Sequence, residues 1–121
     1  MSKILNALIF FCSILYYAGI DSKSNKTNFV DGIEDLPLHH KMTVNKNSLV
    51  MFDTNQGNFV EVEIIGKSSI ENISKFYNEI LPNLGWKSEN NTKFVRGKDS
   101  LELQYSSKNQ TVIVKFKLIQ K

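Results

Sequence analysis

The sequence predicts an α+β fold: a mainly antiparallel five-stranded sheet in the order ββαβββ, with one helix packed on one face and an apolar leader ahead of it. Three observations carry this prediction. Residues 59–66 and 111–119 alternate apolar and polar side chains, the period of a half-buried strand. Residues 68–85 repeat apolar side chains at helical spacing. The connectors TNQGN and SSKNQ have the Asn, Gly and Ser content of hairpin turns.

The leader comes first. Lys3 and the amino terminus precede an apolar run, residues 4–20, broken only by Asn6 and Ser13 and succeeded by the polar DSKSNKTN. This is the layout of a secretory signal peptide. Its 17 residues are short against the roughly 20 that span a bilayer comfortably. Residues 1–22 are therefore read as a signal peptide, with an uncleaved anchor as the alternative. The sole cysteine, Cys12, falls in this run behind Phe10 and Phe11, where a lipidation site needs small residues. An exported domain would thus be held by packing alone, without a disulfide.

Residues 23–47 are polar and aperiodic, and read as an extended arm with apolar anchors at Phe29, Val30, Ile33, Leu36, Leu38 and Met42. Pro37 keeps Leu36 out of helical geometry. Residues 48–121 form the single α+β domain. Leu49 to Asp53 is its first strand, and in the second Val60, Val62 and Ile64 alternate with Glu61 and Glu63.

The helix opens on SSIE, in which Ser68 caps the first turn and Glu71 reaches back to it. Ile70, Ile73, Tyr77, Ile80, Leu81 and Leu84 fall within an arc of roughly 100°. Pro82 falls on the opposite, wet side, where the carbonyl it leaves free can be hydrated. Gly85 is placed to take the left-handed position that ends the helix, and Trp86 begins the next strand. Three strands complete the domain: KFVR at 93–96, then Leu101, Leu103 and Tyr105 in alternation with Glu102 and Gln104, then TVIVKFKLI.

Composition excludes more than it assigns. With 121 residues, 41% hydrophobic and 22% charged, the chain has room for one core and no separate cofactor domain. Its net charge of +3 is spread out, so no basic arm for nucleic acid is expected, and KFVRGKD lacks the second glycine and aromatic of a sheet-based RNA binder. His39 and His40 have ligand chemistry for zinc, with Asp31, Glu34 and Asp35 upstream. In an extended arm, however, neighbouring side chains diverge, so the histidines are read as exposed. Glu61 and Glu63 share a strand face, as paired acid/base carboxylates do, but their apolar neighbours mark that face as solvated. No nucleophile elbow or phosphate loop is present in the sequence. No catalytic residue, cofactor or metal is therefore assigned, and a small hydrolase-like enzyme with no recognisable site stands only as a second alternative. Tyr77, Trp86, His39 and His40 are the binding candidates, and Ser68, Glu71, Pro82 and Gly85 the structural motif.

The combination of DLPL, FYNEILPNLGW, FVRGKDSLEL and TVIVKFKL resembles a family of small exported proteobacterial proteins of unknown function. These share an FY-x3-LP-x-LGW helix end with F-x-R and two strands after it. The resemblance covers most of residues 29–119 and implies the fold order but no activity. The family usually has an apolar segment after D-x-P-L, where this chain has His39-His40-Lys41-Met42. More loosely, the helix-turn-strand pattern is similar to small accessory domains of bacterial envelope assembly factors. The expected function is a non-catalytic protein-binding or accessory module of the envelope that uses its sheet edges or bare face. The alternative is a carrier of lipid or another small apolar ligand, which requires the arm and helix to leave an apolar pocket. Membrane contact is expected only through residues 1–20, if the leader is retained.

Overall fold

The structure, a computed structural model, describes residues 28–121. The leader and the first part of the arm lie outside the described residues. The chain runs β1 (Met42–Thr54), β2 (Gly57–Lys67), α1 (Ile70–Asn83), β3 (Lys87–Asn90), β4 (Lys93–Arg96), β5 (Asp99–Lys108) and β6 (Thr111–Gln120). The six strands form one sheet in the order β1-β2-β6-β5-β4-β3, with every neighbouring pair antiparallel. The fold is α+β with one helix, as expected, but the sheet has six strands rather than five.

The additional strand is β3. Its residues, Lys87-Ser88-Glu89-Asn90, are all exposed, so no apolar alternation marks it. The turn between β3 and β4 makes it a strand. The side-chain oxygen of Asn90 accepts from the backbone N–H groups of Thr92 and Lys93, at 2.9 and 3.0 Å, and reverses the chain onto β4. The other turns have the expected chemistry. Asn109 and Gln110 both take positive φ between β5 and β6, as a two-residue hairpin of the sheet's twist requires.

The alternation in β2, β5 and β6 becomes a dry face and a wet face. Val60, Val62 and Ile64 meet Leu118, Phe116 and Val114 in register, and Leu101 and Leu103 continue these rows on β5. All are buried. On the other face Lys93, Glu102, Lys117 and Glu61 lie in one row across four strands, with Lys93–Glu102 at 3.8 Å and Lys117–Glu61 at 3.9 Å. The two glutamates of β2 thus stand opposite lysines on the solvated side.

Helix α1 buries Ile73, Tyr77 and Leu81 against the dry face, with Phe76, Ile80 and Leu84 partly covered. Ile70, at the first turn, stays exposed. Ser69, not Ser68, is the N-cap: its hydroxyl accepts from the backbone N–H of Asn72 at 3.1 Å. That shift of one residue removes the expected Ser68–Glu71 box, because the third helical position is now Asn72. The hydroxyl of Ser68 is buried without a hydrogen-bond partner. The far end agrees with expectation. Pro82 is exposed, and Gly85 has φ +90°. The N–H groups of Gly85 and Trp86 reach back to the carbonyls of Pro82 and Leu81, both at 3.1 Å, which closes the helix in a Schellman arrangement.

The arm is not extended. Residues 28–38 double back, with Val30 N–H to Leu36 O at 2.9 Å and Leu38 N–H to Asn28 O at 2.8 Å. Gly32 and Asp35 supply the positive φ values of the bend. The loop so formed buries Val30, Ile33 and Leu36 on the part of the sheet that α1 leaves uncovered, while Phe29 remains half exposed. Strand β1 begins at Met42, inside the segment expected to be arm, because Met42 and Val44 pair with Gly66 and Ile64.

Candidate functional site

Most of the molecule is closed by its own side chains, so the informative surface is where it is not. A six-stranded open sheet has two edges. Strand β3 is a blunt one: four polar residues with a register shift between Ser88 and Asn90. Strand β1 is different. Its first half is interrupted, for Asn45 pairs with Glu63 and Val50 with Glu61, so residues 46–49 stand opposite Val62 alone. The hydroxyl of Ser48 fills the gap by accepting from Glu63 N–H at 2.8 Å. Beyond this bulge the strand runs on regularly through Val50, Met51, Phe52, Asp53 and Thr54.

The first three of these residues are apolar and wet. Val50, Met51 and Phe52 are 48%, 61% and 49% exposed, the greatest concentration of exposed large apolar side chains among the described residues. Phe52 lies flat against Phe59 of β2, ring centroids 5.0 Å apart, on the sheet face away from the helix. Met51, opposite Val60, points to the helix side. No backbone hydrogen bond joins the arm to residues 50–54 among the described residues. The arm therefore leaves this edge unpaired.

On the helix side the edge opens into a cleft of about 600 Å³. Residues 32–35 of the arm form one wall. Val60 and Leu118 line its base, Met51 and Asp53 its β1 end, and Trp86 with Arg96 the opposite end. The guanidinium of Arg96 lies 4.4 Å from the centroid of the Trp86 ring, and its Nη1 donates to Asp35 Oδ2 at 2.9 Å and to Leu84 O at 3.0 Å. Arg96 is the one cation in the lining, against the carboxylates of Glu34, Asp35 and Asp53. Since Arg96 is bound to Asp35, Glu34 and Asp53 have no ion-pair partner among the described residues. A chain of net charge +3 thus carries a locally acidic cleft.

The residues singled out in the sequence are only partly brought together. Trp86 is buried but forms the end of the cleft. Tyr77 is fully buried and absent from the cleft lining, its hydroxyl donating to Pro37 O at 2.8 Å. Burial away from water pushes this phenol well above its ordinary range. His39 and His40 do not diverge. The turn from His39 to Met42 stacks their rings 4.4 Å apart, and His39 meets the edge of Phe76 at 4.9 Å. Partial burial, then the proximity of His40 and Lys41, lowers the His39 pKa. No group of three or more possible metal ligands occurs among the described residues. The residues that matter to the cleft and were not singled out are Met51, Phe52, Asp53 and Arg96, while Glu34 and Asp35 were considered only as carboxylates near the histidines. One signal for Met51 and Phe52 was in the sequence: Leu49-Val50-Met51-Phe52 is apolar at four successive positions, so in a sheet packed on one face part of the run had to stay exposed.

Among the described residues no helix is long and apolar enough to cross a membrane. The chain matches no family model, no curated protein and no solved structure.

Proposed function

We propose that this protein is a non-catalytic binding module of the bacterial envelope that docks a partner protein on the free edge of β1. The observation that carries the reading is the asymmetry of the two edges. Beyond the bulge, an unpaired edge with three exposed apolar side chains is a liability in a free protein, and proteins that have no use for one blunt it along its length, as β3 is blunted. Strand addition uses such an edge, with backbone hydrogen bonds giving affinity and flanking side chains giving selectivity. Export rests on the leader and on the resemblance to small exported proteobacterial proteins. The packing of Val30, Ile33 and Leu36 over the sheet favours a binding module over a lipid carrier, because these side chains occupy the space that an apolar pocket would need.

The test is site-specific photocrosslinking in the native host, with the crosslinker at Met51 in one strain and at Ser88 in another. The expected result is one recurrent protein adduct from Met51 and none from Ser88. Adducts of equal yield from both edges, or adducts to lipid alone, would overturn the reading. The intact mass of the protein from soluble and membrane fractions tests export: a start near Lys23 or Asn25 is expected, and a full-length mass in the cytosol would refute it.

A further inference from the structure

We infer that the partner strand taken up by β1 alternates basic and apolar residues, its basic side chains entering the acidic cleft and its apolar ones covering Phe52. The inference rests on the docking of a partner at this edge and adds the chemistry of the occupant.

Beyond the bulge, β1 presents two different faces to any strand laid beside it. Met51 and Asp53 are on the helix side, where the cleft opens, and Val50 and Phe52 are on the other, as their pairing with Val60, Asn58, Glu61 and Phe59 fixes. Successive residues of an added strand also point to opposite faces, and directly opposite side chains on one face interact. The residues that fall on the cleft side meet Asp53 and, across the cleft, Glu34 of the arm. A lysine or arginine there gains two carboxylates that nothing else in the described structure neutralises. An acidic residue there would meet like charge. The residues on the other side meet the exposed ring of Phe52 and the Phe59 ring stacked on it, which call for an apolar or aromatic neighbour.

The same molecule shows this recognition elsewhere. Strand β6 alternates Lys115, Phe116, Lys117 and Leu118, and lies against β2 with Lys115 and Lys117 opposite Glu63 and Glu61. An added strand on β1 would repeat that pattern at the sheet's outer edge, with the acidic side chains now on the helix side. The open face differs in the balance of its charges. Its cleft of about 380 Å³ sets Lys93, Lys98, Lys117 and Lys121 among Glu89, Asp99 and Glu102, so opposite charges are already interleaved.

The experiment uses the full chain, isotope-labelled, and two peptides of equal length, one alternating Val and Lys, the other Val and Glu. Amide shifts report the location of binding and Trp86 emission its affinity. The expected result is saturable binding of the Val/Lys peptide, with shifts confined to residues 50–54, the arm loop and Trp86. The paired charge reversal Glu34→Lys with Asp53→Lys should weaken it by roughly tenfold or more, and added salt should weaken it as well. Preference for the Val/Glu peptide at β1 overturns the partner chemistry and leaves the docking edge standing. Failure of both peptides to perturb β1 also overturns it, as does self-association of the chain through β1 or saturation of that edge by neutral vesicles. The docking reading is then judged separately by the Met51 adducts. Both substituted positions are exposed, and an unchanged melting temperature of the double variant ensures that loss of binding is read as loss of charge.

Discussion

The hydroxyl of Tyr77 donates a 2.8 Å hydrogen bond to the carbonyl of Pro37, forty residues earlier in the chain, and so pins the arm to the helix. The ring sits edge-on to Phe116 of the sheet and to Phe76 of its own helix. Through one side chain the arm, the helix and the sheet are tied together.

Tyr77→Phe tests the value of that bond. It keeps the ring and leaves the Pro37 carbonyl without its donor in a dry site. The expected loss is about 1–3 kcal/mol, a fall in melting temperature of several degrees for a domain of this size. A melting temperature equal to the parent's would mean that the carbonyl finds another donor and that apolar packing alone holds the arm.

The same burial fixes the response to alkali. Desolvation raises the Tyr77 phenol above its ordinary value and the Tyr105 phenol to about 12. For a group whose pKa is higher folded than unfolded, the stabilisation is complete below the unfolded value, roughly 10, and is lost as pH rises through the folded one. These two phenols should therefore leave stability unchanged below about pH 10 and lower it above that. Phenolate absorbance should show Tyr105 ionising late, and Tyr105→Phe should remove that late step. Ordinary titration of both residues would contradict their burial.

At the acid end His39 gives the opposite sign. Its pKa is lowered, chiefly by partial burial, and its Nδ1 accepts from Lys41 N–H at 3.1 Å, a bond that protonation would break. The neutral form is the folded form, so stability declines as pH falls through the unfolded value of about 6.5 toward the folded one. Titration of the His39 ring protons against pH should give a midpoint below about 6.5. A midpoint at about 6.5 would mean that the ring is freely hydrated, and one above it that a neighbouring carboxylate holds the cation.

How much of this was legible can be judged from particular residues. The Gly85 turn was readable because helix ends obey local chemistry: apolar spacing up to Leu84, then the one residue type that tolerates φ +90°. Gly85→Val should accordingly cost at least about 1 kcal/mol. A Cβ there would stand 3.4 Å from Arg96 Cδ, so the penalty is of backbone conformation rather than space. Pro82→Ala, on the exposed side, should be neutral or stabilising. The cap one residue along at Ser69 was less legible, since two adjacent serines offer the same hydroxyl and tertiary packing chooses between them. Strand β3 could not be read by alternation because it has no dry face.

The cleft was the least legible feature, and for a general reason. Its acidic residues come from the arm and from β1, while Trp86 and Arg96 come from the far side of the sheet. Periodicity reports which face of an element is buried, not which elements come to share an edge. Asp35 and Arg96 carry no pattern in common, and only the doubling back of the arm puts them together.

That last contact supports a prediction about how the cleft's end is held. Arg96 makes an ion pair with Asp35, a hydrogen bond to the Leu84 carbonyl, and a stacking contact with Trp86. The ion pair is solvent-exposed, with half of the Asp35 side chain in water, so on its own it should contribute well under about 1 kcal/mol. The other two contacts need the flat, forked guanidinium and involve partly or fully buried groups. Arg96→Lys should therefore destabilise more, by about 1 kcal/mol or somewhat over, than Asp35→Asn, which removes only the charge. Trp86 emission should shift in the first variant and hardly in the second. If Asp35→Asn proves the more damaging and its deficit against the parent shrinks in high salt, the ion pair rather than the indole and the helix carbonyl is what orders this end of the cleft.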